Sequence, residues 1–225
     1  MIAFRVILAD PPWRYANFSA AAHGAAAAHY DGMTEEAMAA IPVASWAAPD
    51  AAIFMWATWP KLDEAMRLIS AWGFDYVTAV PWVKTLPAQR AIYRGIGFWA
   101  MAAAEVLLIA RRGDPGRQKV DPVIGLLEGE PRVFYAPRTR HSAKPLEVHE
   151  WIEGMFPGGP FLELFARQER PGWTTYGNEL GFRLSAAGVE PCERPVRERD
   201  AMPLFDAYQA RVRQTGVPLP GDRRE

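Results

Sequence analysis

Early in the chain an acidic side chain is followed by two prolines and a tryptophan, Asp10-Pro11-Pro12-Trp13. These residue types in this order could activate a planar aromatic amine. Such an amine is a poor nucleophile because its lone pair is delocalised into the ring. The Asp10 carboxylate and a neighbouring main-chain carbonyl, held side by side, can each accept one amine hydrogen. The nitrogen then becomes more tetrahedral, and its lone pair points at an electrophile such as a methyl group. Proline fixes the backbone direction and offers a carbonyl without a competing N–H. Trp13 could stack on a base taken out of its helix, a contact worth roughly 1–3 kcal/mol. The competing reading is a turn that ends a strand, and four residues alone do not decide between them.

A second group of candidates stands late in the chain. Residues Pro131 to Leu146 hold Arg132, Arg138, Arg140, His141 and Lys144 and no acidic residue. The whole chain has 25 Lys+Arg against 26 Asp+Glu, so any attraction for a polyanion must come from a local run of this kind. Taken by itself the run reads equally as a solvated loop. Glu163 lies inside the apolar stretch FLELF, where an unpaired carboxylate is costly. Either a ligand contact or an internal pair with Arg167 would account for it. Gly95-Ile96-Gly97 lacks the third glycine of a phosphate loop and reads as a hinge. His23, His29, His141 and His149 read as structural or exposed, and no metal site is expected.

The elements that must position these residues follow from the apolar pattern. Phe4 to Ala9 is a short, nearly continuous apolar run, the mark of a central strand covered on both faces, and the prolines after Asp10 end it. Ala51 to Thr58, Asp75 to Lys84, Val106 to Ala110, Phe161 to Phe165 and Trp173 to Tyr176 read as further strands, the second of them bent near Pro81. Leu62 to Trp72 carries a helical pattern closed by Gly73, Thr34 reads as a helix N-cap, and Pro145 opens a helix running to about Met155. Residues 19–28 and Leu86 to Gly97 read as loops. Strands alternating with helices predict an α/β sheet, largely parallel, with helices on both faces. Asp10 and Arg167 each follow a buried strand, at the end where ligands sit in such sheets. Past Leu184 the strand pattern fades, which divides the chain into a domain of residues 1–184 and an extension, partly helical or flexible, of residues 185–225.

At 225 residues, half of them hydrophobic, the chain can build one real core. The single Cys192 excludes an internal disulfide and makes a reducing cytoplasm the expected compartment. The first residues already read as strand rather than as a leader, and no apolar run approaches membrane-spanning length.

Taken together, ordered blocks of the sequence resemble the MT-A70-like family of adenine-N6 methyltransferases, and its small bacterial and phage branch most. They are Asp10 to Trp13, His29-Tyr30, Met33 to Glu36, Phe54 to Trp56, Ala71 to Phe74, Trp82 to Thr85, and Gly95 to Trp99 with Glu105. They continue with His141 to Pro145, Glu163 to Arg167, Arg170 to Trp173 and Gly177 to Leu180. The resemblance implies a Rossmann-like fold that uses S-adenosylmethionine, with permuted (beta-class) motif order: catalytic strand first, cofactor strand late. It implies that Asp10, Pro11, Pro12 and Trp13 are catalytic and that Asp10 and Pro11 also face the cofactor. Lys144 would pair with the cofactor carboxylate, while Glu163, Leu164, Phe165, Arg167, Asn178 and Glu179 would line the pocket around its ribose and adenine. Tyr30, Lys84 and Glu105 would lie near the target base; the residues themselves, apart from the resemblance, suggest Trp13 against that base and the basic cluster Arg132, Arg138 and Arg140 on phosphates.

The activity so implied is methyl transfer to the N6 amine of adenine in DNA, with nucleic acid as partner. RNA is the alternative substrate, since no residue here distinguishes a reader of the 2′-hydroxyl and no RNA-binding module is recognisable. A catalytically silent, nucleic-acid-binding scaffold is a third reading, and the intact Asp10 to Trp13 with Lys144 argues against it. Amino methylation of a protein or small molecule is a fourth, disfavoured by the aspartate in first position.

Overall fold

The computed structural model describes residues 3–15, 32–86, 89–92, 103–118, 133–137 and 144–194. A compact unit runs from Met1 to Arg194; the second unit, Pro195–Glu225, lies outside the described residues, and with it the expected helical character of the tail.

The first strand, β1 (Phe4–Ala9), forms where the sequence predicts it, with Val6, Ile7, Leu8 and Ala9 almost fully buried. Two short helices, α1 (Glu35–Ala39) and α2 (Val43–Trp46), lead into β2 (Ala47–Ala57). Thr34 caps α1 as expected, its hydroxyl accepting from the Ala37 amide at 3.2 Å. Helix α3 (Leu62–Ala71) buries Ala65, Leu68 and Ile69 and ends before Gly73, whose φ of 80° suits glycine. Then come β3 (Asp75–Leu86), β4 (Gln89–Ile92), β5 (Ala104–Arg112), β6 (Phe134–Pro137), α4 (Glu147–Met155), β7 (Phe161–Leu164) and β8 (Trp173–Tyr176). A separate hairpin, β9 (Phe182–Ser185) with β10 (Gly188–Pro191), closes the unit.

The main sheet has eight strands in the order β4-β3-β5-β2-β1-β7-β8, with β6 also paired to β3. β1 pairs in parallel with β2 and β7, β7 with β8, and β3 with β6; among the described strands of this sheet, β5 and β4 run against the rest. The sheet is thus largely parallel. Met38 of α1 and Leu68 and Ile69 of α3 share one core layer with Ile7, Ala9, Ile53 and Met55. Val148, Trp151, Ile152 and Met155 of α4 pack on the opposite face with Leu8, Phe54 and Trp56. Helices therefore cover both faces, and alternate residues of each central strand serve the two layers. The arrangement is the Rossmann-like one, with the Asp-Pro-Pro-Trp strand first and the Glu163 strand late.

Several elements go beyond the sequence reading. Gln89–Ile92 is a strand on β3, not loop, and Phe134–Pro137 forms a parallel strand on β3 inside the basic run. The register of β3 shifts between Tyr76 and Thr78 against β5 and between Thr85 and Leu86 against β4. Strand structure also continues past Leu184, as β10.

Candidate functional site

After β1 the chain feeds β2 and the strands beyond it; β7 and β8 return on the other side of β1. The order reverses there, and in α/β sheets ligands settle beside such a switch, past the strand carboxyl ends. Asp10 is the first residue beyond β1, and its amide donates to the Leu164 carbonyl at the end of β7, at 3.3 Å. Because β5 runs backwards, its first residues, Ala104 and Glu105, lie at this same edge, Glu105 opposite Trp82 of β3. Lys144 arrives just ahead of α4.

Four charges are brought together here. Lys144 Nζ lies 2.8 Å from Asp10 and 3.3 Å from Glu105, and Lys84 Nζ lies 2.5 Å from the other oxygen of Glu105. The Lys144, Glu105 and Lys84 side chains are at most 17% exposed, so solvent screens them little. Lys84 also stands 5.1 Å above the Trp82 ring, and Lys144 5.9 Å above Trp56. Burial pushes the Asp10 carboxyl above its ordinary value; Lys144 pulls it back, Glu105 adds to the rise, and the net direction is up. Burial opposes the charge of Glu105 as well, but Lys144 and Lys84 outweigh it and hold that carboxyl below its usual range. Burial likewise disfavours the charge of Lys144, but Asp10 and Glu105 overcome it and the ammonium is raised.

The turn at Asp10 is tight. The Trp13 amide donates to the Pro11 carbonyl and the Met33 amide to the Pro12 carbonyl, both at 2.9 Å. Each carbonyl keeps a second lone pair. Trp13 needs correction: its ring is a core element, 9% exposed, with Nε1 donating to the Trp56 carbonyl at 3.1 Å. A ring held edge-in by that bond is no open stacking surface. Tyr15 bonds Thr58 between hydroxyls at 2.6 Å beside it.

On the other side of the switch, Glu163 rises from β7 between the fully buried Leu162 and Leu164. Its internal partner is His149, whose Nε2 is 2.9 Å from Oε2, rather than Arg167. Arg167 faces Glu179 at 3.6 Å. Phe165 turns the chain at the end of β7 with φ 63°, a left-handed conformation rare for an aromatic residue and common at functional turns. Gly177, after β8, lies against it: a Cβ there would meet the Ala166 carbonyl oxygen at 2.1 Å. Asn178 is exposed and opens the 3-10 turn Asn178–Leu180 that carries Glu179.

Asp10, Pro11, Lys84, Glu105, Lys144, Glu163, Leu164 and Phe165 are therefore gathered at one edge of the sheet. Arg167, Asn178 and Glu179 form the turns after β7 and β8. Tyr30, Arg132, Arg138 and Arg140 lie outside the described residues. His149 is the residue that sequence reasoning misses, since by itself it reads as merely structural or exposed. Its signal is nonetheless there: a histidine on the α4 face that also carries Val148 and Ile152 is a buried polar group in need of a partner.

A family model described as MT-A70 matches residues 4–179. The chain belongs to the MT-A70 family. It is 31% identical over 189 residues to the N(6)-adenosine-methyltransferase MT-A70-like protein of Drosophila melanogaster, a match covering 80% of this chain and 28% of that one. Against the N(6)-adenosine-methyltransferase catalytic subunit METTL3 of Homo sapiens it is 31% identical over 187 residues, covering 79% and 28%. The matched region thus spans little more than a quarter of these relatives. The type II methyltransferase M.MunI of Mycoplasma sp is 29% identical over 198 residues, covering 79% of this chain and 78% of that protein. The MT-A70 relatives are adenine-N6 methyltransferases, and no helix among the described residues is long and apolar enough to cross a membrane.

Proposed function

We propose that this chain transfers a methyl group from S-adenosylmethionine to the exocyclic N6 amine of adenine in DNA. The carrying observation is the buried Asp10–Lys144–Glu105–Lys84 array at the β1/β7 switch. The residues around it fit the cofactor. Lys144 offers an ammonium for its methionine carboxylate, and Glu163, carried on an otherwise apolar strand, offers a carboxylate for the ribose hydroxyls. The left-handed turn at Phe165 and the close approach of Gly177 to Ala166 shape the wall beside them; Arg167, Asn178 and Glu179 complete it. When bound, S-adenosylmethionine supplies the electrophilic methyl.

Asp10 and the remaining lone pair of the Pro11 carbonyl accept the two amine hydrogens and turn the nitrogen lone pair outward. As the nitrogen gains the methyl it must shed a proton. Asp10, whose affinity for a proton is already increased by burial and by Glu105, is suited to receive it. Lys144 and Lys84 keep Glu105 ionised, and Glu105 keeps Lys144 charged and oriented. Pro12 fixes the turn and Trp13 anchors it to β2. Tyr30 is assigned to the target base, and Arg132, Arg138 and Arg140 to phosphates.

DNA is favoured because the Mycoplasma type II methyltransferase matches over most of its own length. RNA is the second reading, carried by the word adenosine in the names of the eukaryotic relatives. The activity fits a cytoplasmic protein. The deciding experiment is incubation with methyl-labelled cofactor and DNA or RNA oligomers, followed by nucleoside mass spectrometry. N6-methyl-deoxyadenosine is expected. Label in RNA alone selects the second reading, and label in neither returns the chain to the scaffold class.

A further inference from the structure

His149 lies in the first turn of α4 and is buried. Its Nε2 touches Glu163 Oε2 at 2.9 Å, and its Nδ1 is enclosed with no hydrogen-bond partner among the described residues. A phenylalanine or leucine would fill the same place without enclosing an unpaired polar atom. What the histidine adds is a single bond to a carboxylate on the central sheet. With Nδ1 enclosed and without a partner among the described residues, the tautomer that can donate to Glu163 is the one carrying its hydrogen on Nε2.

The ring itself is held in place. Trp173 meets it edge-on at 5.0 Å, and Trp173 is stacked on Phe161 at 4.7 Å. Trp173 Nε1 donates to Glu153 Oε1 at 2.7 Å, an oxygen that also accepts from Arg170 Nε at 3.1 Å. Helix α4 and the start of β8 are thereby tied together around the imidazole. Glu163 is fixed by a donor that has little freedom to move.

We infer that His149 is a positioning residue, which fixes one oxygen of Glu163 so that the other is presented to the cofactor ribose hydroxyls. This rests on the proposed role of Glu163. Without the bond the carboxylate samples other rotamers, and ordering it must be done at the expense of cofactor affinity. His149 touches neither Asp10 nor the transferred group, so its loss acts on binding and not on the chemical step.

The test is calorimetric titration of S-adenosylmethionine into the full chain and into His149→Phe, His149→Gln and Glu163→Ala, together with steady-state methyl transfer. His149→Phe keeps a ring against Trp173 and removes the donor; it is expected to weaken the cofactor roughly tenfold, the scale of one bond to a charged group. The cofactor KM rises in step while kcat stays within about twofold. His149→Gln, whose amide N–H reaches the same carboxylate, restores most of the affinity, which a purely packing role would not do. If Phe and Gln weaken binding equally, or neither does while Glu163→Ala does, the positioning role is overturned. If Glu163→Ala leaves the affinity unchanged, it is the cofactor role of Glu163 that fails. Long-range proton–nitrogen NMR of the unaltered chain tests the tautomer even where a variant does not fold. Hydrogen on Nε2 is expected, and hydrogen on Nδ1 overturns the inference.

Discussion

Lys144→Ala withdraws the cation that stands between two buried carboxylates. Its ammonium lies 2.8 Å from Asp10 and 3.3 Å from Glu105, on a side chain 13% exposed. A hydrogen bond to a charged group contributes ~1.5–3 kcal/mol, and breaking a buried pair costs ~3–5 kcal/mol. Glu105 keeps Lys84 at 2.5 Å, so the loss falls on Asp10, and about 3 kcal/mol at neutral pH is expected. Asp10 can escape the penalty only by taking up a proton. Its carboxyl is raised in the folded chain by burial and by Glu105, and removal of Lys144 raises it further. An acid held above its unfolded value binds more protons folded than unfolded, so stability falls as pH rises through that window. The deficit of Lys144→Ala should therefore be small in acid and grow towards neutral pH, as read by urea unfolding across a pH series. Asp10→Asn in the same background removes the stranded charge and should restore part of the loss, a coupling that a double-mutant cycle measures. Calorimetry on the folded variant should show cofactor affinity reduced by ~1.5–3 kcal/mol. A deficit below about 1 kcal/mol that ignores pH would place the pair with solvent-exposed ion pairs and refute the reasoning.

Asp10→Ala should remain folded and lose methyl transfer by ~2.7–4 kcal/mol or more in the transition state, measured as initial rates; in the unaltered chain, transfer should fail on acidification at a pH above the ordinary aspartate value of 3.8. Replacing Arg132, Arg138 and Arg140 with alanine should weaken cognate and unrelated oligonucleotides alike and flatten log affinity against log salt, by about 0.9 for each phosphate no longer neutralised on duplex DNA. An unchanged slope would return that run to ordinary solvated surface. Gly177→Ala should destabilise the chain by ~1–3 kcal/mol in thermal or urea unfolding and weaken the cofactor, because the added methyl meets the Ala166 carbonyl oxygen at 2.1 Å.

The strands most legible in the sequence are those buried on both faces. β1, the end of β2, the middle of β5 and β7 show as nearly continuous apolar runs cut by Pro, Gly or charge, and α3 shows by its 3.6-residue period. β4 and β6 carry no such mark. Gln-Arg-Ala-Ile and Phe-Tyr-Ala-Pro are four-residue strands at the β3 margin of the sheet, and only pairing with β3 makes them strands. The same limit governs the site. The types and order of Asp10, Lys144 and Glu163 point to chemistry, but which carboxylate meets which base is decided by the sheet. Sequence alone offers Arg167 for Glu163; register and the path of α4 supply His149 instead. Trp13 departs from its sequence reading for a related reason, since the fate of an indole beside the Asp10 turn depends on whether a buried carbonyl, here that of Trp56, is within its reach.

The charge array explains why residues so far apart in the chain have to meet. Lys84, Glu105, Lys144 and Asp10 alternate in sign, and each carboxylate is paired with a lysine from another element. None could stand alone at this depth: a buried lone carboxylate would take a proton, and a buried lone lysine would lose one. The array permits an ionised acid at the end of β1 only while β3, β5 and the approach to α4 are all docked. In the proposed function Asp10 is therefore assembled as an acceptor by the fold as a whole, and a change that loosens β5 or the approach to α4 is expected to disarm it without touching it. The same holds on the other side of the switch, where Glu163 depends on α4 for His149. Helix α4 serves both halves of the site, with Lys144 ahead of its first turn and His149 within it.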